Sequence, residues 1–272
     1  SFDEISGNLV SNPTFDLGSE AIQNGTFNLG SEIADNNTIN NSNGGVITKL
    51  SDLNYNATSD GTSSTTIKPR ILPTLTLNKT YKIVVTPRNQ SGTIRFNIYD
   101  GANYLLPWGN GFTEPIVVYL TKSGSTPNFM FNGQNTFNLD FTLSVKEVLN
   151  WGLQSPWSIN NNKAFYDDTS IGSISQGGLS IGSGKTYQAS FDIEDSSNQA
   201  RFIISNGSQS EVYSPYTYRA NGSYVVTFTS ASNQTAIYFK AHTDGTSFSL
   251  SNVSLKEVPN WELGDGWSVG DN

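Results

Sequence analysis

Apolar residues in this chain come in short alternating runs and nowhere recur at helical spacing over three turns. The first half carries Ile83-Val84-Val85, Thr93 to Tyr99, Ile116 to Leu120 and Phe137 to Leu143. Each run is rich in β-branched and aromatic residues and is bounded by Gly, Asn, Ser or Pro, as expected of strands on a pleated, half-buried surface. The second half answers with Tyr187 to Ile193, Arg201 to Ile204, Tyr224 to Thr229, Thr235 to Phe239 and Phe248 to Val253. Side chains alternate across a strand, so each run has one apolar face that must be buried against another sheet. The expected fold class is all-β, as tandem antiparallel β-sandwich modules of the jelly-roll kind.

The modules are tandem because the chain repeats itself. Ser144-Val145-Lys146-Glu147-Val148-Leu149-Asn150-Trp151 returns as Ser254-Leu255-Lys256-Glu257-Val258-Pro259-Asn260-Trp261, six identities in eight positions at an offset of 110 residues. Leu153 and Trp157 return as Leu263 and Trp267 at the same offset. Lys79 to Gly101 matches Lys185 to Gly207 without a gap, with eight identities in 23 positions. These include Lys79/Lys185, Thr80/Thr186, Tyr81/Tyr187, Arg95/Arg201 and Phe96/Phe202. A period this long is a whole domain, not one unit of a solenoid. The expected organisation is a first module over residues 1–150 with an extended or duplicated N-terminal strand region, a second over 151–260, and at 261–272 the start of a truncated third. A local echo complicates the opening, since Asn12 to Glu20 is followed by Asn24 to Glu32 with seven of nine positions alike at a spacing of 12. The echo reads as a duplicated first strand, as two successive module openings with one body lost, or as slippage that lengthens a loop.

Composition narrows the setting. With 35% apolar and 14% charged residues, the surface has to be made of Ser, Thr, Asn, Gly and Gln, which suits extracellular or virion proteins better than cytosolic enzymes. Fifteen basic against 23 acidic residues leave a net charge of −8 with no basic run, so binding to nucleic acid or to an anionic membrane is not expected. The absence of cysteine removes disulfides, thiolate zinc sites and thiol catalysis. No apolar run approaches the roughly 18 residues of a membrane span, and membrane insertion is not expected.

Three segments carry a family resemblance: the opening from Asn8 to Asp16 (Asn-Leu-Val-Ser-Asn-Pro-Thr-Phe-Asp), the Trp-x-Leu-x-x-x-Trp-Ser run from Trp151 to Ser158, and the close from Leu250 to Val258. They resemble the jelly-roll carbohydrate-binding modules attached to bacterial glycanases, which are also strung in tandem in phage tail fibres and other virion appendages. The resemblance implies that an N-terminal strand packs against the C-terminal one, with a structural calcium between them. Where the family usually offers an Asp on the closing strand, this chain has Asn252 in one module and Leu143 or Ser144 in the other. Asp16, Glu20 and Asp168, with Glu32 and Asp167 beside them, are the oxygen donors left for such an ion, which needs six or more oxygens converging. No other cofactor is implied.

Catalysis finds little to use. His242 is the only histidine; it sits in the turn-like Ala241-His242-Thr243-Asp244-Gly245 and reads as a surface residue, and no Gly-x-Ser-x-Gly elbow positions a nucleophile. Glu194 and Asp195, or Asp167 and Asp168, are sequence neighbours that a strand sends to opposite faces, so neither pair suits acid–base cleavage of a glycoside. Aromatic placement says more. After the matched glycines Gly101 and Gly207 lies a variable loop, with Tyr104, Trp108 and Phe112 in the first module and Tyr213, Tyr216 and Tyr218 in the second. Flat exposed rings are what sugar rings stack on, and Tyr216 and Tyr218 should share a strand face. Arg95 and Arg201 face outward if Phe96 and Phe202 face the core. Trp151, Trp157, Trp261 and Trp267 recur in framework positions and are read as packing. The candidate glycan-binding residues are Tyr104, Trp108, Arg95, Tyr213, Tyr216, Tyr218 and Arg201.

The expected function is non-enzymatic: an appendage protein on a virion surface or in the extracellular space, binding a host-surface polysaccharide or other glycan by stacking and neutral hydrogen bonds. Its further partners are other virion subunits, in a homo-oligomer. Two alternatives stand beside it, a purely structural virion component (fibre shaft, capsid decoration or tail protein) and an accessory glycan-binding module of a secreted glycanase.

Overall fold

The computed structural model describes residues 17–34, 37–41, 44–60, 69–99, 104–106, 113–125, 127–133, 136–243 and 245–258. The chain divides into two compact units, and the division is not a single cut. One unit is 28–149; the other joins 1–27 to 150–272, so the first is inserted between the opening segment and the body of the second. The boundary expected near residue 150 coincides with the end of the inserted unit, but the start of the chain belongs with the second half. The reason is visible in the hydrogen bonds of residues 17–27, given below.

The inserted unit contains β1 (Leu29–Glu32), β2 (Thr38–Asn40), β3 (Gly45–Ser51), β4 (Asn54–Ser59), β5 (Arg70–Leu72), β6 (Thr80–Ser91), β7 (Ile94–Tyr99), β8 (Tyr104–Leu106), β9 (Ile116–Thr121), β10 (Asn128–Gly133) and β11 (Phe137–Val148). The host unit contains β12 (Gly152–Leu153), β13 (Ser158–Asn160), β14 (Lys163–Tyr166), β15 (Ser173–Ile181), β16 (Thr186–Glu194), β17 (Ala200–Ser205), β18 (Val212–Arg219), β19 (Gly222–Thr229), β20 (Gln234–Ala241) and β21 (Phe248–Val258). In the inserted unit one sheet runs β3-β4-β11-β6-β9, with β1 on β11, and the other β2-β5-β10-β7-β8. The host unit repeats both orders as β13-β14-β21-β16-β19 and β12-β15-β20-β17-β18. The interleaving of sequence-distant strands in two antiparallel sheets is the jelly-roll sandwich that the alternating runs predict.

Alternation makes the two cores. Along β16 the burial pattern is strictly alternate, and its inward Phe191 meets Phe202 and Phe239 of the facing sheet at ring centroid distances of 5.4 and 5.9 Å. In the inserted unit Phe131 meets Phe141 across the sandwich at 4.4 Å. Each such ring contributes about 2–3 kcal/mol by burial. Trp151 and Trp157 are core residues of the host unit: Trp157 packs on Tyr166 and Phe248, and Trp151 on Phe27 and Phe239. Trp261 and Trp267 lie outside the described residues.

The repeated signature residues do the same jobs twice. Lys79 pairs with Glu147 at 3.0 Å and Lys185 with Glu257 at 2.8 Å. Thr80 and Thr186 share hydroxyl hydrogen bonds with Thr121 and Thr229, and the Tyr81 and Tyr187 hydroxyls accept from the backbone N–H of Thr76 and Gly182.

The N-terminal echo is likewise two copies of one device. Glu32 Oε1 accepts from Ala34 N–H and from Val145 N–H of β11 at 2.6 Å, while its other oxygen accepts from Ser144 Oγ. Glu20 accepts in the same way from Ile22 N–H, Leu255 N–H of β21 and Ser254 Oγ. Ile33 N–H then donates to Val145 O, and Ala21 N–H to Leu255 O. A carboxylate thus replaces a main-chain carbonyl where the opening strand bulges away from the closing one, satisfying a buried N–H that would otherwise cost about 1–3 kcal/mol. Further bonds tie the opening segment to the host unit: Val253 N–H donates to Gly25 O, the Trp151 indole to Asn24 O, and Gln176 clasps both backbone groups of Gln23. Only glycine fits at residue 25, where a Cβ would lie 1.9 Å from Val253 O. Of the readings open for the echo, two module openings is the one that matches, with the first body displaced downstream and not lost.

Candidate ligand-binding site

The outer face of the host sheet β12-β15-β20-β17-β18 gathers three of the seven candidate residues, Arg201, Tyr216 and Tyr218. Phe202 is buried, so the neighbouring Arg201 points out of β17, as expected. Arg201 lies opposite Tyr218 in the register, and its guanidinium stands 5.1 Å from the Tyr218 ring and 5.2 Å from that of Tyr216. Tyr216 also meets the imidazole of His242 edge-on at 5.3 Å. Burial pushes the Tyr216 phenol above its ordinary pKa, against the opposing pull of Arg201. Tyr218 leaves 56% of its surface exposed, which makes it the open ring of the cluster.

Parity along β18 sorts the remaining tyrosine. Tyr213 turns inward, 8% exposed and stacked on Phe228 at 4.0 Å, so it is a core ring and not a ligand contact. Arg219 turns inward too. Its guanidinium lies over Phe202 at 5.2 Å and over Phe191 and Tyr224 at 5.7 Å, and donates to Ser214 Oγ at 2.8 Å. Burial pulls its pKa down, and Tyr224 opposes that. A buried guanidinium caged by rings anchors the strand that carries Tyr216 and Tyr218.

Beside the aromatic cluster, on the same sheet, is a polar cleft of about 230 Å³ lined by Gln154, Ser173, Ser205, Asn206, Tyr238 and Lys240. The register explains its floor: Ser173 and Ile203 flank Lys240, and Ser175 and Ser205 flank Tyr238. Ser173 Oγ donates to Gln154 Oε1 at 2.7 Å. Ser205 is 0% exposed, and its hydroxyl has no hydrogen-bond partner among the described residues. Gly207 lets the Tyr238 ring lie close, because a Cβ there would sit 2.8 Å from the ring and hydroxyl and the ring would have to shift.

Charge separates the two sheets of the host unit. The five strands of the cleft sheet contain Arg201, Arg219 and Lys240 and no Asp or Glu. The opposite sheet carries an acid-lined trough of about 490 Å³ at Asp192, Glu194 and Asp195. Protein donors already serve those carboxylates: Lys163 reaches Glu194 at 2.8 Å and Asp195 at 3.5 Å, and Asn252 Nδ2 reaches Asp192 at 2.6 Å. Lys163 holds Glu194, and Ser249 holds Asp195, below the ordinary carboxylate range. A carboxylate depressed in the folded state adds stability above its unfolded pKa and loses it as pH falls through the folded value, so this corner weakens only in acid.

The other candidates fall differently. Arg95 faces outward on β7, opposite Asn132 of β10. Tyr104 begins β8, with only its backbone described; Trp108, Phe112 and Asp16 lie outside the described residues. Glu20, considered for calcium, instead has both carboxylate oxygens engaged by N–H and O–H donors. Such a donor-filled carboxylate does not fit a hard cation, and among the described residues no three acidic or histidine side chains are placed to hold a metal ion together. Asp168 occupies a turn at φ 61°, next to Asp167, which accepts from Thr169 N–H and Oγ1.

Tyr238, Lys240, Ser205 and Ser173 are not singled out by the sequence, and His242 is singled out only as a surface residue. The signal for three of them is the alternation in β20 and just beyond it, where Tyr238, Lys240 and His242 are interleaved with buried Ile237, Phe239 and Ala241. Reading His242 as an isolated surface residue missed its ring contact with Tyr216, which depends on the pairing of β17 with both β18 and β20.

No family model matches the chain, and no curated protein matches it. Among solved structures the chain is similar to an allantoicase at a TM-score of 0.31 and 7% identity, over 78% of this chain and 80% of that one. The allantoicase of Saccharomyces cerevisiae gives 0.29 and 8%, over 86% and 93%. The M60 catalytic domain with the CBM51-1 and CBM51-2 domains from Clostridium perfringens ZmpB gives 0.26 and 5%, over 89% of this chain and 43% of that one. At these scores the likeness carries no argument about function.

Proposed function

We propose that the protein is a non-catalytic glycan-binding component of an extracellular or virion-borne appendage, with the outer face of β12-β15-β20-β17-β18 as its binding surface. The observation that carries this reading is the Arg201–Tyr216–Tyr218 stack, an open ring held by a cation from the next strand and set beside a polar cleft. A sugar packs its C–H face on such a ring while its hydroxyls take hydrogen bonds from the flanking polar groups. The surface composition, poor in charge and rich in Ser, Thr and Asn, supports the extracellular or virion setting. Single-site affinity of this kind is weak and gains from repeated display on an assembled appendage. On a glycan array, binding by the full chain should fall at least ten-fold in Tyr218→Ala and Tyr216→Ala, with circular dichroism unchanged. Full binding by the double variant would contradict the assignment.

A specific observation favours a second reading, in which the modules contact neighbouring subunits. Val117 and Val225 occupy corresponding edge strands, β9 and β19, and expose 52% and 62% of their surface. Paired apolar exposure on matched sheet edges is a feature of surfaces that meet other chains.

A further inference from the structure

We propose that the glycan bound on this face is an acidic one, whose carboxylate sits in the cleft lined by Lys240, Ser173 and Ser205 while the sugar ring reaches the Arg201–Tyr218 stack. This inference rests on the glycan-binding reading and names its ligand class.

Three observations carry it. The chain has a net charge of −8, yet the five strands of this sheet hold cations and no acidic residue. Lys240 is half-buried in the cleft and has no ion-pair or hydrogen-bond partner among the described residues, unlike Lys163 and Lys185, which hold carboxylates at 2.8 Å. A lysine left without a counter-ion in a recess is a place for an anion brought by the ligand. The third observation is the Ser205 hydroxyl, 0% exposed, without a partner among the described residues and lining the same cleft. A buried hydroxyl left unmatched costs free energy, which a carboxylate oxygen accepting its proton recovers.

A neutral sugar would use the hydroxyl and the rings but leave the ammonium unmatched. The proposal adds a charged contact to the stacking and neutral hydrogen bonds expected from the sequence. The overall negative charge sharpens the idea: bulk electrostatics would repel a polyanion from this chain, so retention of one has to come from a local site.

The test is affinity electrophoresis of the full chain through gels containing polygalacturonate, alginate or hyaluronan, each beside its carboxyl-reduced form, together with neutral glucans and mannans. At least one acidic polymer should retard the protein ten-fold more strongly than its reduced counterpart. Lys240→Gln and Ser205→Ala should each remove that preference, with residual binding to the reduced polymer kept. Equal retardation by acidic and reduced forms, or retardation by neutral polymers alone, would overturn the acidic ligand class and leave the glycan-binding reading standing. No retardation by any polymer, acidic or neutral, would overturn both.

Discussion

Where the host unit places Lys240 between Ser173 and Ile203, the inserted unit places Met130 between Arg70 and Asn97. Where the host has Tyr238 opposite Ser205, the inserted unit has Asn128 opposite Tyr99. Arg70 reaches Asn128 Oδ1 at 3.5 Å, so the cation there turns to a neighbouring side chain. Strand order, core rings and the glutamate hook are shared by the two units, while outward residues of the matched sheets differ in size and charge. A jelly-roll framework is fixed by what points inward and by how its first strand is fastened to its last. Outward positions on the same strands are free to change, and it is there that the proposed binding surface differs between the two units.

The largest test of the comparison concerns which half owns the N-terminus. Deleting residues 1–27 removes Phe27 from Trp151 and Glu20 from β21, and should destabilise the host unit by about 5 kcal/mol, the sum of a lost core ring and an unmatched buried N–H. Hydrogen exchange should show protection lost across 150–258 and kept across 28–149. Loss confined to 28–149 would break the nested arrangement.

A smaller effect separates the two hooks. Glu20→Ala and Glu32→Ala should each cost about 1–3 kcal/mol, since each leaves a strand N–H of the closing strand unmatched. Exchange at Leu255 should accelerate in the first variant and at Val145 in the second. Equal acceleration at both amides in either variant would show that the hooks are not separate devices.

Much of this architecture was legible in the sequence. The alternation of Tyr187 to Ile193 and Phe137 to Leu143 marks their strands and inward faces, and the Lys-Thr-Tyr repeat marks positions that make the same bonds twice. The echo at Glu20 and Glu32 was seen but not resolved, because seven matched residues look alike whether they fasten to one closing strand or to two. Nesting depends on pairing across more than 230 residues of chain, as between Glu20 and Leu255, which no local pattern contains. Of the proposed site, the shared outward face of Arg201, Tyr216 and Tyr218 is legible from parity and aromatic chemistry. Tyr213 lies three positions from Tyr216, so alternation alone sends it to the opposite, core face, and its ring chemistry is no guide to exposure there. Lys240 and Ser205 come together only when β20 and β17 pair, a fact of topology and not of composition.

The most direct measurement is an amide chemical-shift titration of the full chain with the glycan bound most tightly on the array. The account predicts perturbations concentrated at residues 201–205, 214–218 and 238–242. Perturbations centred on 94–99 and 128–133, or on the acid-lined trough around Asp192 and Glu194, would contradict it.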